Sequence, residues 1–149
     1  MLQRKQSLYL LVAMLLILSN LANPFVSVDN LIFTAFKLQQ TGISDPITIG
    51  TFPIAIYAII LSLLHIFTIM LFKKRPLQMR FTLLSIFLSV GFYGILFFYH
   101  FMSKDIISIE FSQYGFELIS PILAAIFDFM AYKGIKKDEK LVRDSDRFR

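Results

Sequence analysis

The chain has 149 residues, 56% of them apolar, with fifteen Lys and Arg against ten Asp and Glu and a mean hydropathy of +0.68. That length suffices for one domain, but a small water-soluble domain buries only part of its surface, so the composition excludes an ordinary soluble fold. With no Cys, disulfides, thiolate metal sites and Cys nucleophiles are excluded, and with no Trp, the 17 Phe and 6 Tyr must serve as interfacial anchors and interior filler.

Four apolar segments organise the chain: Ser7–Phe25, Phe52–Phe72, Phe81–Met102 and Phe116–Tyr132. A helix needs roughly 20 apolar residues to cross a bilayer. The fold class expected is therefore all-α integral membrane: a four-helix transmembrane bundle in one domain, residues 1–149. The first segment, preceded by Arg4 and Lys5, resembles a signal peptide. Ala22 is the cleavage candidate, but Asn20 stands where a small residue is preferred, so the segment reads as a retained span. Pro24 is expected to end it.

Outer loop 26–51 is long for a connector. Val26-Ser27-Val28, Leu31–Leu38 and Ile47-Thr48-Ile49 are separated by Asp-Asn, Thr-Gly and Asp-Pro turn signals. In the second outer loop, 103–115, Ile107-Ser108-Ile109-Glu110-Phe111 alternates with period two. Together these predict a small antiparallel β cap, with an amphipathic helix over Leu31–Gln40 as the rival. The second and third segments are joined by a cytoplasmic turn, 73–80, containing Pro76, so they are expected to pack antiparallel. In the fourth segment Pro121 either kinks the helix or stands in its first turn behind a Ser120 cap. The helix is expected to run on past Tyr132 into a tail, 133–149. No internal repeat is visible.

The basic residues are sorted by side. Arg4, Lys5, Lys73, Lys74, Arg75 and Arg80 fall on one face, with Lys133, Lys136, Lys137, Lys140, Arg143, Arg147 and Arg149 of the tail; Lys37 and Lys104 fall on the other. By the positive-inside rule both termini are cytoplasmic. The same clusters predict contact with anionic lipid at the cytoplasmic face, and nucleic acid is not an expected partner.

Four ionisable groups fall within the segments, where such groups are costly and often functional. Counting along the helices puts His65 and Asp128 at similar depth in the cytoplasmic half, and His100 and Glu117 near the outer end. Two polar layers are expected, His65 with Asp128 and His100 with Glu117. Three readings of the inner layer are open: a structural hydrogen-bonded pair, a proton or cation relay, or an Asp128 that leans toward the interface near Lys133. His65 and His100 differ in depth by roughly 16 Å and cannot both ligate one haem. No catalytic residue, metal site or cofactor is expected. Ser85 and Ser89 form a small-xxx-small pattern for close helix approach, within the chain or in a dimer. Asn20 and Asn23 either bond across helices or mark the start of the loop.

The tail carries seven basic and four acidic residues. It reads as a juxtamembrane helix on anionic lipid or as a docking helix for a membrane-protein partner. Two stretches carry a resemblance. Met1-Leu2-Gln3-Arg4-Lys5-Gln6-Ser7 resembles the M-[IL]-Q-R-x-Q-[ST] opening of an uncharacterised family of small four-span proteins of the Bacteroidota, known only as a domain of unknown function. Phe127-Asp128-Phe129-Met130-Ala131-Tyr132, followed by Ile135-Lys136-Lys137-Asp138-Glu139-Lys140-Leu141-Val142-Arg143 and Asp146-Arg147-Phe148-Arg149, resembles its closing motif. Lys5 and Phe148 depart from the family pattern, which has apolar and Leu residues there. The resemblance implies a Gram-negative inner membrane and no activity. It also implies that Gln3, Arg4, Asp138, Glu139, Arg143, Asp146 and Arg147 belong to one cytoplasmic feature, with the tail folded back on the N-terminus. The function expected is a structural or accessory interaction protein of an inner-membrane complex; the alternative is a small transporter or proton-conducting protein using His65 and Asp128.

Overall fold

The computed structural model describes residues 5–28, 31–40, 47–103 and 114–147. Among them are four α-helices and one four-stranded sheet. Helix α1 (Lys5–Ala22) has no Gly or Pro and ends where Asn23 returns its N–H to the Ser19 carbonyl at 2.9 Å, one residue before Pro24. The chain then forms an antiparallel meander of β1 (Val26–Val28), β2 (Leu31–Phe33), β3 (Lys37–Gln40) and β4 (Ile47–Gly50). The expected β cap is present, and the rival helix over Leu31–Gln40 is not, because Leu31 and Phe33 alternate inward with Ile32 outward. All four strands among the described residues lie between α1 and α2. The segment Ile107–Phe111 lies outside the described residues; the second loop adds a single bridge between Tyr114 and Val26.

Helix α2 (Phe52–Met70) starts with Pro53 in its first turn, where the missing N–H has no partner to lose. After a 3-10 turn at Leu71–Lys73, α3 (Arg75–Ser103) begins at once. This corrects the expected turn over 73–80: Lys74 alone stands between the two helical elements, and Arg75–Arg80 is helical. Pro76 does not break the helix because it sits in the first turn. A 3-10 turn at Phe116–Leu118 leads into α4 (Ser120–Arg147), unbroken for 28 residues, about 42 Å. Of the two readings of Pro121, its place in the first turn holds, but Ser120 is the first helical residue and its Oγ donates to the Glu117 carbonyl instead of capping the helix.

The helices pack in the cyclic order α1–α2–α3–α4, so α2 and α4 face each other across the centre. Neighbours run antiparallel: Gln6 meets Asp138 and Asn20 meets Ser120, while Phe67 packs on Phe81 and Tyr57 on Phe92. An aromatic column, Phe33–Phe25–Phe92–Tyr57, with ring centroids 5.3, 6.3 and 5.8 Å apart, ties the sheet to the helices. Backbone bonds from Phe25 to Phe33, Gly115 to Phe25 and Thr51 to Phe36 fix the sheet over the ends of α1 and α2.

The polarity of the helices is inverted relative to a water-soluble protein. Ser62, His65, Thr68, Thr82, Ser85, Ser89 and Asp128 are buried, while Leu63 is 58% and Phe87 74% exposed. Three helical stretches, Lys5–Ala22, Phe52–Lys73 and Arg75–Ser103, are long and apolar enough to cross a membrane. Helix α4 divides its length between an apolar half to Tyr132 and a charged half beyond it.

Candidate functional site

Sequence spacing alone placed His65 and Asp128 at one depth; packing brings them into contact. Phe67 against Phe81 and Tyr57 against Phe92 set α2 beside α3 so that His65 is level with the Thr82–Ser85 turn. His65 enters the centre from α2 and Asp128 from α4 on the opposite side. The His65 Nε2 lies 3.1 Å from each Asp128 carboxyl oxygen, and both side chains are completely buried.

The other ring nitrogen determines the chemistry. His65 Nδ1 stands 2.7 Å from the Leu61 carbonyl oxygen, which can only accept, so Nδ1 carries a hydrogen and donates it. Two protonation patterns then remain: an imidazolium donating from Nε2 to a carboxylate, or a neutral ring whose Nε2 accepts from a protonated carboxyl. In either case one proton lies between Nε2 and Asp128 and the pair has no net charge. That neutrality is what makes complete burial tolerable, since an isolated ion at this depth would be prohibitive. The surrounding hydroxyls are mostly spent on their own helices: Ser62, Thr68, Thr82 and Ser85 each donate to the carbonyl four residues earlier, at 2.7–3.0 Å. Ser89 Oγ, buried one turn further along α3 from Ser85, has no hydrogen-bond partner. Beyond it the inward face of α3 turns apolar, with Phe92 and Leu96 closing the centre.

The expected outer layer is corrected: Glu117 and His100 do not pair. Glu117 is held by α1, with Ser19 Oγ donating to Oε2 at 2.8 Å and Asn23 Nδ2 to Oε1 at 3.0 Å. His100 Nδ1 instead lies 3.1 Å from the Tyr114 hydroxyl. The reason is the 3-10 turn before α4, which rotates Glu117 toward α1 while the adjoining chain carries Tyr114 to α3. Burial pushes the Tyr114 phenol up to about 12. Asn20 bonds across helices, donating to Ser120 Oγ at 2.7 Å and to the carbonyls of Leu16 and Ile17. Ser85 and Ser89 are wholly buried within the chain, as the packing reading of their pattern requires.

At the far end of the helices the termini meet. Gln6 Nε2 donates to Asp138 Oδ2 at 2.7 Å. A Cβ on Gly134 would lie 2.7 Å from Gln6 Cγ, so the close approach of α1 and α4 there requires glycine. Ile135 is buried beside this contact, and Lys136, Lys137 and Lys140 are exposed, with Glu139 half-buried. Arg143, Asp146 and Arg147 lie on α4; Gln3 and Arg4 lie outside the described residues. Gln6, Ser19, Tyr114 and Gly134 were not singled out by spacing. Of these only Gln6 carried a signal, its place in the opening motif.

Among the described residues no group of three or more His, Cys, Asp or Glu is placed to hold a metal ion. No curated protein and no solved structure is significantly similar to the chain. The family described as a domain of unknown function, DUF4293, matches residues 2–148, and the chain belongs to that family.

Proposed function

We propose that the protein is an inner-membrane protein whose four helices form a transmembrane bundle with both ends cytoplasmic. In this reading it serves a larger membrane complex as a structural or accessory subunit, docking through the charged half of α4. The observation that carries the reading is the inverted polarity: a belt of exposed Leu, Ile, Val and Phe surrounds a polar centre, an arrangement that lipid stabilises and water does not. Helix α4 supports docking because it runs rigidly past Tyr132 and is braced to α1 by Gln6–Asp138. Its apolar first half, with Asp128 neutralised by His65, serves as the fourth span.

Two experiments test this. With no native Cys, single substitutions report sidedness cleanly. Lys140→Cys is expected to label only from the cytoplasmic side and Thr48→Cys only from the outside; labelling of both from one side overturns the topology. Purification from native membranes in mild detergent, followed by mass spectrometry, is expected to recover a stoichiometric membrane partner. A variant truncated after Asp138, which keeps the brace to Gln6, should lose it. Recovery of the protein alone removes the accessory reading.

The shared proton of His65 and Asp128 favours a second reading, proton conduction. It requires pH-dependent flux in liposomes that vanishes in Asp128→Asn. The mutual satisfaction of the pair and the Phe92–Leu96 closure favour the structural role, for which no flux above empty liposomes is expected.

A further inference from the structure

The lysines of the α4 tail are not scattered around the helix. Lys133, Lys136, Lys137 and Lys140 follow the i, i+3, i+4, i+7 spacing that puts residues on one helical face. That face cannot rotate, because Ala131 and Ile135 are fully buried and Asp138 is tied to Gln6 of α1. The stripe therefore borders α3, where with Met79 and Glu139 it lines a cleft of about 440 Å³. This is within the roughly 300–1,000 Å³ range of small-molecule sites.

The cleft is net cationic, four ammonium groups against the one Glu139 carboxylate. Among the described residues the ion pair is His65–Asp128, and none of the four ammonium groups takes part in one. Lys133 shows how the stripe is set at the boundary of the apolar half: its Nζ lies 4.6 Å from the centroid of the Phe129 ring, itself 47% exposed. The ammonium thus sits at the end of the apolar surface with its stem along it, as a snorkelling lysine does.

We propose that this cleft binds the phosphate headgroup of an anionic phospholipid, with the four lysines around the phosphate and Met79 against the glycerol and first acyl carbons. The proposal rests on the membrane reading above. Charge complementarity selects the occupant: a concentrated cationic face with an apolar floor, starting one residue beyond the apolar half of α4, matches a ligand whose anionic head adjoins an apolar tail. A free anion would leave Met79 and the apolar lysine stems without a counterpart.

The test uses the full-length chain in phosphatidylcholine nanodiscs, titrated with phosphatidylglycerol and followed by native mass spectrometry. The four-lysine variants Lys→Gln and Lys→Arg are compared with wild type, and circular dichroism checks that each keeps its helix content. Wild type and the Arg variant are expected to bind phosphatidylglycerol in preference to phosphatidylcholine. The Gln variant should bind it at least about tenfold more weakly, and equimolar inorganic phosphate should not displace it. Equal binding by the Gln variant, equal binding of phosphatidylcholine, or displacement by inorganic phosphate each overturns the proposal. Failure of the membrane reading is separately visible: wild type would then leave the native membranes in an alkaline wash.

Discussion

His65 and Asp128 meet across the diagonal of the helix packing, 63 residues apart in sequence and 3.1 Å apart in space. Among the described residues no other side-chain hydrogen bond joins α2 to α4, so this pair is what sets the rotation of these two helices relative to each other. Its energetics follow from the Nδ1 hydrogen committed to Leu61. Asp128→Ala leaves Nε2 buried without a partner and is expected to cost about 3 kcal/mol. Asp128→Asn supplies an amide N–H that the neutral ring can accept, and should cost about 1 kcal/mol. Equilibrium unfolding in mixed micelles distinguishes the two. Equal losses would mean that the amide does not reach Nε2.

The meeting of α1 and α4 at Gly134 predicts a change of sign between backgrounds. In the wild type, Gly134→Ala drives its new Cβ against Gln6 Cγ and displaces the donor to Asp138, so the variant is expected to be less stable. With Gln6→Ala already present the clash is gone. The same substitution should then stabilise by up to about 1 kcal/mol through helix propensity alone. Unfolding of the two single variants and the double variant completes the cycle, and additive effects would sink the steric account.

Glu117 is matched to two donors, Ser19 Oγ and Asn23 Nδ2, one at each carboxyl oxygen. Glu117→Gln can accept at only one end and is expected to cost about 1 kcal/mol. Glu117→Ala removes both cross-helix bonds and leaves Ser19 Oγ and Asn23 Nδ2 with only their own-helix acceptors, the carbonyls of Leu16 and Ser19, and should also cost about 1 kcal/mol. Added loss on combining Glu117→Ala with Ser19→Ala, measured by the same unfolding assay, would show that the two do not interact.

Tyr114, outside the membrane-crossing helices in the proposed topology, supplies a pH dependence. Its folded phenol is raised to about 12 from the usual 10, so the folded state holds this proton more tightly than the unfolded chain does. The resulting stabilisation is fully present below pH 10 and is lost as pH rises from 10 through about 12. The difference in tyrosinate absorbance between wild type and Tyr114→Phe should therefore titrate near 12. A difference spectrum that titrates near 10 would show that the phenol is solvated.

Much of this architecture was legible because it depends on local pattern. The four apolar runs each form a helix, three of them long and apolar enough to cross a membrane, and the turn signals between the short apolar stretches of 26–51 predict the sheet. Helical rise put His65 level with Asp128, since depth along a helix follows from counting. The outer pairing failed for a related reason. Depth says nothing about rotation, and the 3-10 turn at Phe116–Leu118 aims Glu117 at α1 instead of at His100. The extent of α3 was misjudged because Arg75 and Arg80 read as a loop by polarity, whereas a helix that leaves an apolar layer keeps its backbone bonds regardless of side-chain charge.

The sequence by itself determined the mostly helical class of structure, the clustering of its positive charge and the family, because composition, periodicity and terminal motifs are properties of the chain. Only the tertiary structure decided which polar groups meet. A helix face is set by how four helices turn against one another, and that rotation is fixed by contacts between residues distant in sequence, such as Gln6 with Asp138, Ser19 with Glu117 and His65 with Asp128. The same rotation lines up Lys133, Lys136, Lys137 and Lys140 beside Met79 as one cationic cleft, where the sequence shows only a basic tail.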